Sequence, residues 1–436
     1  MELAAVIAAL KNEGATRIIV KPLANNDNTK QQVYLGGNFE VIQMLPSGEI
    51  YSAGISKKGP IFKAPLDFWW LDNEFNCANA PGAQLILYPK YPEVRFSGFL
   101  KKCPTAPSHL MQPPTKDERA ERANKSRILF LGIAAKRIIG FTTHWDSAIS
   151  QEILDQIVEK KLAQIEQEKS VFYDLVNEAS GSKSRLLSKL TNIYQMGAVP
   201  SQRIKEGNVV PYVAQNGAGF TLESLFAISP NGRAEPDFED WELKAHSGSV
   251  VTLMTPEPNC GEYKESLEQF LRKYGWSKAE GRMDFASIHK NNLKNERTQL
   301  SLIMTGYDPK KEEITDPDGG LHLVDDKGNL AAGWGFSKLL EHWKKKHSRT
   351  CFVSYKKIDD GDIKFTFGPN VTLAEGASLK RFLQSLYGQA IYYDPGINMK
   401  LVNGKWKPKK RNQFRIKFKD IGDLYLIVND LDLANS

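Results

Sequence analysis

The run Trp241-Glu242-Leu243-Lys244 constrains this chain more than any other stretch. Apolar and ionic residues alternate in it, and a β-strand sends successive side chains to opposite faces. Glu242 and Lys244 therefore share one face while Leu243 turns to the other. Such a strand must bury one side in a core and hold an acid and a base next to each other. Asp237 precedes it, within Glu235-Pro236-Asp237-Phe238. Upstream, Leu222, Leu225 and Phe226 recur at helical spacing and leave Glu223 on the polar side. Carboxylates beside a lysine suit phosphodiester hydrolysis. Mg²⁺ is held by few carboxylates and several waters; it polarises a phosphate and lowers the pKa of bound water. A lysine beside it stabilises developing negative charge or orients that water. Glu223 is expected as an additional ligand or an orienting group. Acids and lysines also alternate on half-solvated surface strands, so the triplet needs context.

The context is a set of motifs in fixed order: Gly219-Phe-Thr-Leu-Glu-Ser224, Gly232-Arg-Ala-Glu-Pro-Asp-Phe238, Trp241 to Lys244, Val251-Thr-Leu-Met-Thr-Pro-Glu-Pro258, and Lys409-Lys-Arg-Asn-Gln-Phe-Arg-Ile416. Together they resemble the MvaI/BcnI restriction endonucleases, a MutH-like group, over about residues 208–436. The resemblance implies a PD-(D/E)xK nuclease with an α/β fold around a central mixed sheet, Mg²⁺ as cofactor and double-stranded DNA as substrate. It also implies Glu223, Asp237, Glu242 and Lys244 as the catalytic set, with Asp237, Glu242 and Glu223 on the metal. Only four residues separate Asp237 from Glu242, fewer than is usual in that superfamily, which makes Asp240 the alternative carboxylate.

At 436 residues the chain is too long for one ordinary core. The formal charge of +7 fits a polyanionic partner. Its distribution says more, because residues 400–419 carry nine Lys or Arg and no acid. In that block Lys407, Lys409 and Lys410 can neutralise phosphates, whereas Arg411, Asn412, Gln413 and Arg415 carry groups able to read base edges. Cys77, Cys103, Cys260 and Cys351 lack zinc spacing and read as free thiols of a reducing compartment. The amphipathic N-terminus reads as a helix rather than a signal peptide, and no run reaches the length of a membrane span. A cytoplasmic protein without membrane contact is expected.

Residues 1–145 read as an α+β domain rich in β, a barrel or sandwich, with strands over Arg17–Val20, Gln32–Leu35, Phe39–Met44, Ile50–Ala53, Gln84–Tyr88, Val94–Phe99, Arg127–Gly132 and Arg137–Thr143. Trp69, Trp70, Lys90, Tyr91 and Arg95 form a possible reader in which aromatics stack on an unpaired base and cations hold phosphates. The Phe68-Trp69-Trp70 run also suits a core. Residues 146–207 read as a helical linker, with Ile153, Ile157, Leu162 and Ile165 near helical period. Residues 208–436 form the nuclease domain.

The resulting expectation is a Mg²⁺-dependent, sequence-specific endonuclease of type II restriction character, with residues 1–145 as a DNA-targeting domain. Such an enzyme serves phage defence beside a cognate methyltransferase, and a monomer is expected. The rival readings are a strand-specific nickase, a modification-dependent endonuclease, and a DNA-binding regulator whose nuclease fold no longer cuts.

Overall fold

A computed structural model describes the chain except residues 26–31, 38–40, 58, 91–92, 123–124, 166–170, 178–180, 215–216, 230–235, 348 and 436. The protein is strand-rich α+β and divides into two compact units, Met1–Ser180 and Gly181–Ser436. Among the described residues, no helix is long and apolar enough to cross a membrane. All four cysteines are free.

In the first unit a seven-stranded sheet has Arg17–Leu23 and Arg127–Ile133 near its centre, paired antiparallel. Ile18, Val20, Ile128 and Phe130 lie on one face and pack in one core with Val6 and Leu10 of the helix Leu3–Asn12 and Ile149 and Ile153 of the helix Ala148–Val158. A second sheet of five strands runs in the order Val33–Gly36, Glu93–Ser97, Gln84–Tyr88, Gly59–Pro65, Tyr51–Ser56. Aromatic contacts join the two sheets: Phe68 lies 4.7 Å from Phe96 between ring centroids. Most expected strands form close to their expected positions. Phe39–Met44 does not; its described part is the helical turn Val41–Met44, since short apolar runs do not separate the two periods.

The stretch expected as a helical linker is instead divided between the units. Its first helix ends at Val158, and after Lys160 in the left-handed region (φ 57°) the chain forms Ala163–Gln164, paired with Tyr173–Asn177 at the sheet edge. Leu162 and Ile165 thus leave the helical pattern. The helix Ser182–Gln195 buries Leu186, Leu190 and Ile193 in the second unit's core, against Trp241, Leu243, Cys351 and Val353. A boundary at 207/208 would cut through that core.

The second unit's five-stranded sheet has the order Val199–Pro200, Ile363–Ala377, Arg349–Asp359, Glu242–His246, with Tyr425–Asp432 also paired to Ile363–Ala377. Val250–Met254, Phe414–Lys417 and Tyr392–Tyr393 make a separate sheet that carries the basic segment's end. The helical stretch over residues 262–274 breaks at Ser266, whose hydroxyl accepts the Gln269 N–H and starts Leu267–Tyr274.

Candidate active site

The strand Glu242–His246 lies at the sheet edge, parallel to Arg349–Asp359, with Glu242 opposite Thr350 and Lys244 opposite Phe352. Leu243 turns into the core at 6% exposure. On the opposite face Glu242 is buried, Lys244 is 17% exposed, and Lys244 Nζ donates to Glu242 Oε1 at 2.6 Å. The alternation that the sequence displays is the reason the two meet.

The short connection from Asp237 is a two-residue turn. Phe238 and Trp241 exchange backbone hydrogen bonds at 2.9 and 2.8 Å, with Glu239 in the left-handed region at φ 52°. This reversal returns Asp237 to the strand, where its Oδ2 accepts the Leu243 N–H at 2.9 Å. The alternative carboxylate, Asp240, is paired with Arg349, which also holds Glu375 at 2.9 Å. Glu239 is held by Arg185 at 2.6 Å. The turn is thus tethered through Glu239 and Asp240, and Asp237 is the acid that reaches the strand. Glu235 lies outside the described residues.

Glu223 is carried by the helix Gly217–Leu225. A Cβ at Gly217 would lie 2.4 Å from Ser201 Oγ, so this close approach requires glycine. Thr221 Oγ1 donates to the Gly217 carbonyl at 2.8 Å and accepts the Gln202 N–H at 3.1 Å, which seats the helix. Glu223 is half-buried, and its charge reaches Lys244. Burial opposes the Lys244 charge, but Glu242 above all, then Asp237 and Glu223, outweigh it, and the Lys244 pKa is raised.

No group of three His, Cys, Asp or Glu among the described residues converges as a metal cage. Glu223 acts on Lys244 electrostatically. Asp237 and Glu242, both on or against the strand beside Lys244, are hard carboxylate donors of the kind that Mg²⁺ uses when waters and a phosphate complete its shell. The donor set fits such an ion.

The basic segment splits into two kinds of residue. Lys407, Lys409, Lys410 and Arg411 are exposed. Asn412 is buried: its Nδ2 donates to Glu257 Oε1 and to Tyr263 Oη, both at 2.9 Å, and its Oδ1 accepts from Tyr393 at 2.6 Å. Expected as a base reader, Asn412 is instead a fastener of this segment, because all its polar atoms point inward. Arg415 is half-buried and pairs with Asp394 at 2.7 Å; Gln413 reaches Thr252 at 3.5 Å.

In the first unit the expected reader is not brought together as one surface. Trp70 is fully buried against Phe68 and Phe99 and donates to the Phe99 carbonyl at 2.6 Å, so it is core and cannot stack on a base. Trp69 is half-buried and donates to Asp67 at 2.8 Å. Arg95 pairs with Glu93 at 2.9 Å, Lys90 is exposed, and Tyr91 lies outside the described residues.

Two residues that sequence reasoning passed over belong to the site's surroundings. His246 follows Glu242 and Lys244 at the same period of two, a signal that was present. It stacks on Phe418 at 3.8 Å between centroids, and burial lowers its pKa to about 4, so it is neutral at pH 7. Arg349 had no local signal, since its partners lie on distant segments.

A family model described as the MvaI/BcnI restriction endonuclease family matches residues 187–425, more than half of the chain. The protein is an endodeoxyribonuclease, a DNA-binding hydrolase of the sequence-specific restriction type. It belongs to the MvaI/BcnI restriction endonuclease family. The match begins within the helix Ser182–Gln195, which agrees with that helix sharing the second unit's core. Among solved structures, the chain is similar to a restriction endonuclease MvaI–cognate DNA substrate complex, with 18% identity over 57% of this chain and 97% of that one and a TM-score of 0.47. It is also similar to MvaI in the absence of DNA, with 16% identity over 57% and 97% and a TM-score of 0.32. No curated protein matches it.

Proposed function

We infer that the second unit hydrolyses phosphodiester bonds of double-stranded DNA with Asp237, Glu242 and Lys244 at the scissile phosphate, Glu223 tuning their charge, and Mg²⁺ as cofactor in a PD-(D/E)xK-type fold. The observation that carries this reading is the 2.6 Å pair between Lys244 and a buried Glu242, with Asp237 folded back onto the same strand. Asp237 and Glu242 would hold the ion, which polarises the phosphate and lowers the pKa of a bound water when present. Lys244 stays protonated because three carboxylates favour its charge. Its ammonium is therefore a fixed cation, suited to stabilising negative charge on the phosphate in the transition state rather than to accepting the water's proton. The core under Leu243 holds the strand rigid, so the pair is pre-organised.

The exposed Lys407, Lys409, Lys410 and Arg411 would engage DNA phosphates or base edges, and Arg415 and Gln413 are the partly buried groups beside them. The first unit is read as a second DNA-binding element that raises the effective concentration of the nuclease near its target. Purified protein with supercoiled plasmid tests the reading. Linear product with Mg²⁺ and none with chelator supports it; nicked circle selects a strand-specific nickase; binding without scission selects a DNA-binding regulator. Cleavage confined to modified plasmid selects a modification-dependent endonuclease.

A further inference from the structure

The first unit carries a cationic cavity that the catalytic reading leaves unused. Lys21 sits opposite Leu129 and Leu23 opposite Arg127 in the antiparallel pair of central strands. Lys21 and Arg127 are therefore diagonal neighbours on one face, the face opposite to that covered by the helices. Val33 and Tyr34 of the second sheet and Met111 at the end of the short helix Ser108–Met111 also line this cavity of about 110 Å³, open to solvent on one side. By the same measure a water needs roughly 10–15 Å³, so a tetrahedral oxyanion has room.

The charges there are unbalanced. Lys21 is 9% exposed and has no ion pair or hydrogen bond among the described residues. Burial lowers its pKa to about 8, with no carboxylate among the described residues countering the effect. Arg127 is 5% exposed, gives its terminal nitrogens to the Leu110 and Ala24 carbonyls, and leaves Nε without a partner among the described residues. Burial, then the nearby Arg122, lowers its pKa to about 10 against the smaller opposing effect of Glu118. A buried cation without a counter-charge destabilises a fold unless a ligand supplies the charge. Lys21 is such a cation, and Arg127, opposed only by the more distant charge of Glu118, lies beside it on the central strands at an open cavity, so the pair is placed to meet an anion.

We propose that this cavity binds a phosphate group through Lys21 and Arg127. The group can come from a DNA backbone or from a free phosphate or nucleotide. The backbone source deepens, and rests on, the reading of the first unit as a DNA-binding element; the free source does not.

The test uses the full chain, wild type and Lys21→Met, without divalent cation. Thermal melting in inorganic phosphate or deoxynucleoside monophosphate, against chloride of equal ionic strength, reads the free source. Binding of duplex oligonucleotides over a salt series reads the backbone source. A phosphate-dependent rise in melting temperature that Lys21→Met loses supports the cavity with a free ligand. A weaker affinity of Lys21→Met for all duplexes, with the slope of log K against log salt reduced by about 1, supports it with a backbone ligand. Absence of both effects overturns it. Should Lys21→Met fail to fold, Lys21→Gln replaces it, with the same two outcomes supporting the cavity and the absence of both overturning it. Hydrogen exchange of the full chain with duplex DNA separates the two readings: DNA protection within residues 1–180 that is the same in Lys21→Met leaves the reader standing and the backbone source rejected. No protection there rejects the reader.

Discussion

Two buried lysines, one in each unit, are placed in opposite electrostatic surroundings. Lys244 meets Glu242 at 2.6 Å with Asp237 and Glu223 in electrostatic reach, and its pKa is raised. Lys21 meets no carboxylate among the described residues, and its pKa falls to about 8. Burial acts on both, so the difference is set by the neighbours. A compensated lysine is stable as a permanent cation and suits a catalytic strand that must keep its charge. An uncompensated one stores electrostatic cost that an anion can relieve.

The two lysines sit in different surroundings only if the two units have separate cores. A fragment of residues 181–436 should melt cooperatively, whereas one of residues 208–436 should not, because it lacks Leu186, Leu190 and Ile193. Each such loss costs about 2–5 kcal/mol. Equal melting of the two fragments in differential scanning calorimetry would refute the boundary drawn at Gly181.

Truncating the two lysines should move stability in opposite directions. Lys244→Ala leaves Glu242 buried without its cation and should lower unfolding free energy by about 3–5 kcal/mol in urea titration, besides abolishing cleavage. Glu242→Gln, nearly isosteric, should fold better and still not cut. Lys21→Met removes an unpaired charge and should leave stability equal or raise it. A matching loss in both variants would mean that Lys21 has a counter-charge after all.

The pH dependence sharpens the same contrast. Unfolded lysine titrates near 10.5 and folded Lys21 near 8, so between these values the unfolded chain binds more protons and stability rises with pH. Below pH 8 the full cost of the charged group, roughly 3 kcal/mol, is present. The stability of Lys21→Met relative to wild type should therefore shrink as pH rises from 8 to 10.5. Lys244, with its pKa raised, contributes fully below 10.5 and loses that contribution only above it, so a Lys244 variant should show a constant difference over the same range. Parallel pH curves for the two variants would remove the distinction.

Smaller effects are expected along the basic segment. Asn412→Ala strands Glu257, Tyr263 and Tyr393 partners and should cost about 1–3 kcal/mol of stability. Lys407→Ala should leave stability unchanged and reduce the salt slope of DNA binding by about 1. If Asn412→Ala alters site preference without altering the melting temperature, the fastener assignment fails.

Local chemistry determined a large part of this protein. Alternation in Trp241 to Lys244 was enough to place Glu242 and Lys244 on one face and Leu243 in the core, because the period of a strand is a property of the backbone. Ordered motifs were enough to identify the nuclease family. Tertiary structure decided the rest. Asn412 and Arg411 are adjacent and both polar, yet one is buried in a Glu257–Tyr263–Tyr393 network and the other is exposed. Trp70 is likewise fully buried while its neighbour Trp69 is only half-buried. Asp237 rather than Asp240 reaches the strand because Arg349, more than a hundred residues away in sequence, ties Asp240 into the turn. Whether a polar side chain faces a ligand or another part of its own chain depends on partners brought from distant segments, and so does the charge state of Lys21. Those partners are set by packing, which no local pattern encodes.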